Sequence, residues 1–422
     1  MRRLLFIFSF LSLLVVDGKA QEVETLTLED CLRIGIDNNL SLEGKRKEIQ
    51  KSKYGVSENR SKLLPQITVI AGYNNNFDPP VSVTDGSSYG VPYNITKTLQ
   101  HTANAGLEMQ MPLFNQTLYT SMSIAKVMEE ISRLSYGKAR EDIIMQISKM
   151  YYLGQVTAEQ IVLIKANITR LEELRDITQA FFDNGMSMEV DLKRVNINLE
   201  NLKVQYDNAQ AMMKQQLNML KYIMDYPAEK EFVLTPVNTD SITTVALTGL
   251  SENIYELQLS QSQVQLAEKQ KKIISNGYIP SLSLTGSWRY AAYTDKGYHW
   301  FHSGPSNHWF RSYGLGLTLR IPIFDGLDKT YKIKKAMIDI ENRKLAWENA
   351  RKSLQTQYLN AVNDLMNNQR NFKKQKDNYL LAEDVYTVTS DRYREGIASM
   401  TEVLQDEMQM SEAQNNYISA HY

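Results

Sequence analysis

Four short stretches of the chain alternate apolar and polar residues with a period of two. Leu282, Leu284, Trp288 and Tyr290 alternate with Ser283, Thr285 and Arg289, and Leu315, Leu317, Leu319 and Ile321 with Gly316, Thr318 and Arg320. An earlier, fainter pair runs through Ile67, Val69, Ala71 and Tyr73, then through Leu107, Met109 and Met111 around Glu108 and Gln110. Such alternation gives a strand one apolar and one polar face, and about ten residues suffice for a tilted strand to cross a bilayer. The pattern predicts strands at about 66–74, 103–112, 281–290 and 312–322, with prolines at their ends where no ladder hydrogen bond is lost. Polar, Gly/Pro/Asn/aromatic-rich loops are expected over Asn74–His101 and Ala291–Arg311. Trp288, Trp300 and Trp309 sit in or beside the second hairpin, where an aromatic interfacial belt would place them.

The remaining sequence follows a helical period. No proline occurs at 21–64, 113–226 or 323–422, and these stretches are rich in Gln, Lys, Glu, Leu, Met and Ala. Ile161, Ile164, Ile168, Leu171, Leu174, Ile177 and Phe181 step by three or four, a coiled-coil-like packing seam. A helix from Phe114 to Phe181 would extend roughly 100 Å at the α-helical rise. Gly185 then supplies a turn, and a return helix from Met186 to about Tyr226 covers roughly 60 Å. A helix from about Leu42 to Leu64, roughly 35 Å long, matches the missing length and would stack end to end on the return helix. Thr27-Leu28-Glu29-Asp30 has the pattern of a capping box opening a separate short helix.

These features occur twice in the same order. Leu64-Pro65-Gln66-Ile67-Thr68-Val69 answers to Ile279-Pro280-Ser281-Leu282-Ser283-Leu284, and Met111-Pro112-Leu113-Phe114 to Ile321-Pro322-Ile323-Phe324. Gly185, Asp191 and Tyr206 answer to Gly396, Glu402 and Tyr417. The chain is therefore expected to hold a first structural repeat at 21–227, an equatorial linker at 228–251 and a second repeat at 252–422. Tyr422 corresponds to Ala211, so the second return helix is expected to be about 15 residues shorter than the first, through truncation or a different equatorial packing.

Composition narrows the classes. Arg2 and Arg3, the apolar run Leu4–Val16 and Gly18-Lys19-Ala20 read as a secretory signal over residues 1–20, with a mature chain from Gln21. Its removal leaves 44 basic and 47 acidic residues, a formal charge of −3 that does not favour nucleic acid. The single cysteine, Cys31, excludes an intramolecular disulfide and thiolate metal clusters. No later stretch reaches the roughly 18 consecutive apolar residues of a spanning helix, so contact with a membrane would be through strands. Four strands cannot close a barrel, and open sheet edges in lipid cost several kcal/mol per unpaired group. Several chains must then share one barrel, two giving eight strands and three giving twelve.

No catalytic constellation or cofactor is expected. Gly86-Ser87-Ser88-Tyr89-Gly90 fits a nucleophile-elbow spacing but lies in a polar loop, and neither a phosphate loop nor a His-Glu-x-x-His helix occurs. His299, His302 and His308 cluster with Tyr298, Trp300 and Trp309 and are weak metal candidates, a surface or interfacial loop being the preferred reading.

The chain resembles the TolC-like outer-membrane efflux proteins across its whole mature length. The resemblance rests on Leu26-Thr27-Leu28-Glu29-Asp30-Cys31-Leu32, the helix entering Leu64-Pro65, the Pro112-Leu113-Phe114 strand exit, and Arg392-Tyr393-Arg394-Glu395-Gly396-Ile397 followed by Thr401-Glu402-Val403-Leu404. It implies a mainly α fold with a small β part: a homotrimeric periplasmic α-helical barrel, a mixed equatorial region, here about Gln21–Asn39 and Ala228–Ser251, and one shared twelve-stranded barrel in outer-membrane lipid. The implied function is a passive exit duct, with a periplasmic adaptor and an inner-membrane efflux pump as partners. The outlet of a type I protein secretion system would use the same duct, and a periplasmic coiled-coil structural protein is the rival from another class. Asn184, Gly185, Met186 and Ser187, with Glu395, Gly396, Ile397 and Ala398, correspond to the tips that meet the adaptor. Asp191 and Glu402 correspond to acidic residues of the closed pore entrance, whereas Gln405 and Ala398 stand where the best-known member has a second acid and a bridging arginine.

Overall fold

A computed structural model describes residues 24–97, 99–236, 249, 251, 253–294 and 308–421. The expected leader at 1–20 and most of the linker at 228–251 lie outside the described residues. In chain order the elements are β1 (Glu24–Leu26), α1 (Leu28–Asn38), α2 (Leu40–Ser61), β2 (Gln66–Asn75), β3 (Val81–Asp85), β4 (Tyr93–Lys97), β5 (His101–Phe114), α3 (Gln116–Asp183), α4 (Glu189–Met224), β6 (Phe232–Leu234), α5 (Tyr255–Asn276), β7 (Ser281–Thr294), β8 (His308–Arg320), α6 (Asp328–Arg394) and α7 (Met400–His421). They form two compact units. One draws on the chain up to Leu42, Arg140–Leu247 and Ala361–Tyr422, the other on Glu43–Ala139 and Thr248–Asn360. Each sequence repeat therefore contributes to both units.

The unit drawn from Glu43–Ala139 and Thr248–Asn360 carries a four-stranded antiparallel sheet in the order β2-β5-β7-β8. The two repeats meet at its centre, where β5 pairs with β7 from His101↔Thr294 to Phe114↔Leu282. Pro112 falls beside a register shift at the end of β5, where its missing N–H disturbs the ladder least. Gly106 makes the central pairing possible, since a Cβ there would lie 2.4 Å from the Trp288 carbonyl oxygen. Helices flank the sheet in sequence. Asn276 at the end of α5 donates to Thr120 Oγ1 on α3 at 2.5 Å, and the Tyr255 ring lies against Gly137.

The other unit has two cores. In the first, β1 pairs in parallel with β6 while α1 lies on α3 and α4, burying Cys31, Ile147, Tyr151, Leu220, Met224 and Phe232. Thr27 and Asp30 form the capping box of α1, Asp30 N–H donating to Thr27 Oγ1 at 3.1 Å and Thr27 N–H to Asp30 Oδ2 at 3.3 Å. Gly35 lets α1 approach α3, because a Cβ there would meet Ile147 Cδ1 at 2.3 Å. Burial pushes the Cys31 thiol up to about 12, which leaves it an inert apolar filler. The second core joins α3, α4, α6 and α7 through Leu171, Leu174, Leu199, Leu202, Tyr386, Tyr393, Val403 and Met410. Leu171 and Leu174 of the helical seam are buried there, with Ile168, Ile177 and Phe181 packed at its margin.

Two expectations about the β part need correction. The stretch Asn74–His101 is not simply loop, for β3 and β4 form an antiparallel hairpin from Val81↔Lys97 to Asp85↔Tyr93. Val81, Val83, Tyr93 and Ile95 supply its β-forming residues, disguised in sequence by adjacent Pro, Gly and Asn. The major strands also run further towards the loops than expected, β5 starting at His101, β7 ending at Thr294 and β8 starting at His308, while β8 stops at Arg320 short of Pro322. The Gly86–Gly90 motif forms a short 3-10 turn on the hairpin, with Ser87 Oγ bonded to Asp85 at 3.0 Å. That setting is not a strand-to-helix elbow.

Replacing Gly106 with valine should force β5 from β7. A loss of about 1–3 kcal/mol is expected from overpacking, read as a lower thermal or urea midpoint of the detergent-purified protein.

Candidate functional site

Register divides the sheet into two chemically opposite faces. One carries the rows Ile67–Met109–Gly286–Leu315, Val69–Leu107–Trp288–Tyr313 and Tyr73–Ala103–Ala292–Trp309. The other carries Gln66–Gln110–Thr285–Gly316 and Thr68–Glu108–Ser287–Gly314. On the polar face Arg289 Nη2 donates to Glu108 Oε1 at 2.6 Å, a charge pair laid across the seam between the repeats. The apolar face is exposed, Leu315 at 80%, Val69 at 73% and Ile67 at 68%. A soluble sheet buries such a face in a core, whereas a bilayer solvates it.

The two helical turns have the same backbone. At the first, Gly185 has φ +70°, its N–H donates to Phe182 O at 2.9 Å, and Met186 N–H donates to Phe181 O at 2.8 Å. At the second, Gly396 has φ +76°, its N–H donates to Tyr393 O at 2.9 Å, and Ile397 N–H donates to Arg392 O at 2.8 Å. Both are Schellman closures, in which a left-handed glycine lets the last carbonyls find donors. The apolar residue after the glycine usually folds back onto its own helix, yet Met186 and Ile397 are 68% and 64% exposed. Asn184, Gly185, Glu395 and Gly396 are exposed beside them, with Ser187 and Ala398 half-buried.

The return helices start differently. Asp191 and Glu402 each stand third in their helix, three residues after the N-cap. Ser399 caps α7 and Glu402 completes the box, Ser399 N–H donating to Glu402 Oε2 at 2.8 Å and Glu402 N–H to Ser399 Oγ at 3.3 Å. The Ser399 backbone bond, then its hydroxyl, holds the Glu402 carboxyl below its ordinary range. Met188 cannot cap α4 in this way, so Asp191 is released to Arg194 Nη1 at 3.1 Å. The same guanidinium nitrogen reaches Thr401 Oγ1 at 3.3 Å, tying α4 to α7.

A family model of the outer membrane efflux proteins matches residues 34–224 and 238–422. The chain belongs to the outer membrane efflux protein family. Outer membrane protein TolC of Vibrio cholerae serotype O1 is 21% identical over 380 residues, covering 87% of this chain and 81% of that protein. TolC of Salmonella enteritidis is 19% identical over 382 residues, covering 87% and 73%. Among solved structures the chain is similar to CusC (TM-score 0.78, 16% identity, 97% of this chain and 92% of CusC) and to the outer-membrane channel OprN (0.75, 15%, 93% and 86%). It is also similar to the open state of the MtrE channel of Neisseria gonorrhoeae (0.74, 18%, 93% and 85%). At these identities the structural likeness shows the fold. Family membership makes this an outer-membrane, TolC-like channel protein.

In this efflux protein, then, the residues singled out at the tips stand on two matching turns, and Asp191 and Glu402 occupy matching helix positions with different partners. His299 and His302 lie outside the described residues, as does the side chain of His308, and no group of metal-ligating residues occurs among the described ones. Sequence reasoning missed Ser399, although Ser399-Met400-Thr401-Glu402 has the capping-box spacing. It also missed Arg194, whose role depends on a contact with α7 that no local pattern announces.

One buried acid stands out in the four-helix core. Glu407 is 4% exposed, and its Oε1 and the Nε of Arg170 have no hydrogen-bond partner. Nearby, Arg170 bonds Asn167, and Asn167 Nδ2 donates to Gln414 Oε1 at 3.2 Å. Burial raises the Glu407 carboxyl above its ordinary 4.5, partly offset by the Arg170 charge. The folded state therefore holds this proton more tightly than the unfolded chain. The associated stabilisation is complete below 4.5 and is lost as pH rises through the elevated folded value. Glu407→Gln should raise the unfolding midpoint at neutral pH and leave it nearly unchanged in acid, as followed by circular dichroism across that range.

Proposed function

We propose that three copies of this chain close their sheets into one twelve-stranded outer-membrane barrel and form the exit duct of a tripartite efflux system. The observation carrying this reading is a sheet with one apolar and one polar face whose outer strands, β2 and β8, each have a single partner among the described residues. In lipid those edge groups must be paired, and pairing β8 of one copy with β2 of the next supplies the partners while turning the polar face inward. Three copies rather than two follow from the family resemblance. Helices α3, α4, α6 and α7 then wall a water-filled passage through the periplasm. Small molecules delivered by an inner-membrane pump and a periplasmic adaptor traverse it without a covalent step.

Met186 and Ile397 are the adaptor contacts in this reading, since each sets an exposed apolar side chain on a rigid turn. Asp191 and Glu402 stand at the pore entrance. Asp191, held by Arg194 and through it to Thr401, is the better placed to latch α4 to α7, whereas Glu402 is engaged in capping α7.

Planar-bilayer conductance with mass determination of the same detergent-purified sample tests the duct. Discrete channels from a trimer are expected, with Asp191→Ala raising open probability. A soluble, non-conducting coiled coil would refute the reading, and unchanged gating in the variant would remove Asp191 from the latch. Met186→Asp combined with Ile397→Asp should abolish adaptor-dependent export with the trimer intact; undiminished export would show that the tips are not the docking points.

A further inference from the structure

The apolar face of the sheet carries one Lys, Arg, Asp or Glu among the described strand residues, Arg311. It lies in the row Ala71–Ala105–Tyr290–Arg311, directly opposite Tyr290, between the rows that end in Tyr313 and Trp309. Its guanidinium lies 6.0 Å from the centre of the Tyr313 ring, and Tyr290 is braced edge-on against Trp288 at 5.3 Å. Arg311 is exposed. Its cation thus leaves the sheet surface within a cluster of three or four aromatic rings, with no acidic residue on that face to neutralise it.

Height along the strand explains how a lipid-facing sheet tolerates this charge. The strands join the helices at Gln66, Phe114, Ser281 and Arg320, and their other ends lead into the loops. From Leu319, near the helical end, to Arg311 is eight residues of β8. With a strand rise of about 3.3 Å and a tilt of about 40°, that separation is roughly 20 Å along the bilayer normal, most of an apolar band about 25 Å tall. The intervening positions on this face are Leu317, Leu315 and Tyr313, all exposed. Arg311 therefore reaches the loop-side interface, where a guanidinium is tolerated, rather than the midplane, where it is costly. Aromatic rings that bridge acyl chains and headgroups surround it.

We propose that Arg311, flanked by Tyr290, Trp309 and Tyr313, binds the phosphate of an outer-leaflet lipid headgroup. A guanidinium recognises phosphate with paired, charge-assisted hydrogen bonds, and the aromatic rings pack the sugar or acyl portion of the same lipid. The contact fixes the depth of the sheet in the membrane at the edge where β8 meets a neighbouring strand. The proposal rests on the duct reading, in which the apolar face meets lipid.

The test titrates diphosphoryl lipid A onto the detergent-purified oligomer and counts retained lipid by native mass spectrometry, with channel conductance recorded from the same preparation. Arg311→Gln should bind about tenfold more weakly. Arg311→Lys, which keeps the charge, should fall between this variant and wild type. Arg289→Gln, the same charge change on the polar face, should bind as wild type does. Excess inorganic phosphate should not displace the lipid; full displacement would make the site one for soluble anions and overturn the lipid assignment. Equal lipid retention by Arg311→Gln and wild type, or equal loss in Arg289→Gln, would overturn the site while conducting channels left the duct intact. A wild-type protein that neither conducts nor retains lipid would overturn both.

Discussion

A strand in a bilayer has no water with which to satisfy its backbone, and the organisation of this protein follows from that shortage. Four strands leave two long edges, on β2 and β8, each with a row of unanswered donors and acceptors. Lengthening the chain or exposing the edge would each be costly, and sharing a barrel among copies is neither. Once the edges are joined, the two faces acquire their roles automatically, because only the outer face of a closed barrel touches lipid. The ion pair of Glu108 and Arg289 then belongs to the wet side, where a charge pair needs no deep desolvation.

The helical tips show how a duplicated unit diverges while its backbone is conserved. The glycine closures after Phe181 and Arg392 use matching hydrogen bonds. Beyond them the two copies part. The second keeps a serine cap, so its acid is occupied locally, and the first has Met188, so its acid turns outward to Arg194 and the neighbouring helix. One substitution at the cap position thus changes a carboxylate from a local fastener into an interhelical one. The buried Glu407 adds a different kind of constraint, a polar group placed in a seam where an apolar side chain would pack without penalty.

The long helices and the four main strands are legible because their periods persist over many residues and are bounded by proline or glycine. The β3–β4 hairpin is not, because five-residue strands in a Gly- and Pro-rich stretch have too few positions to establish a period. The same shortfall hid Arg311. Treated as the end of a loop, it is an ordinary polar residue, and only the extension of β8 back to His308 places it on the apolar face. Glu407 was invisible for another reason. A glutamate among helical heptads reads as a solvated charge unless the packing of α3 and α6 around it is known. Ser399 and Glu402 were local, and their spacing was sufficient to reveal them.

The register of β5 against β7 makes parity the conserved quantity of this sheet. Odd-numbered positions of β5 share a face with even-numbered positions of β7, from Ala103 with Ala292 to Met111 with Leu284. A substitution alters one position, but the deletion of a single residue within either strand would exchange oil-facing and water-facing side chains along the remainder of its length. The loops beyond these strands tolerate changes in length freely. The strands themselves can change in composition but not by an odd number of residues, so their evolution is confined to substitutions and paired insertions, a reading frame imposed by the membrane rather than by the codon.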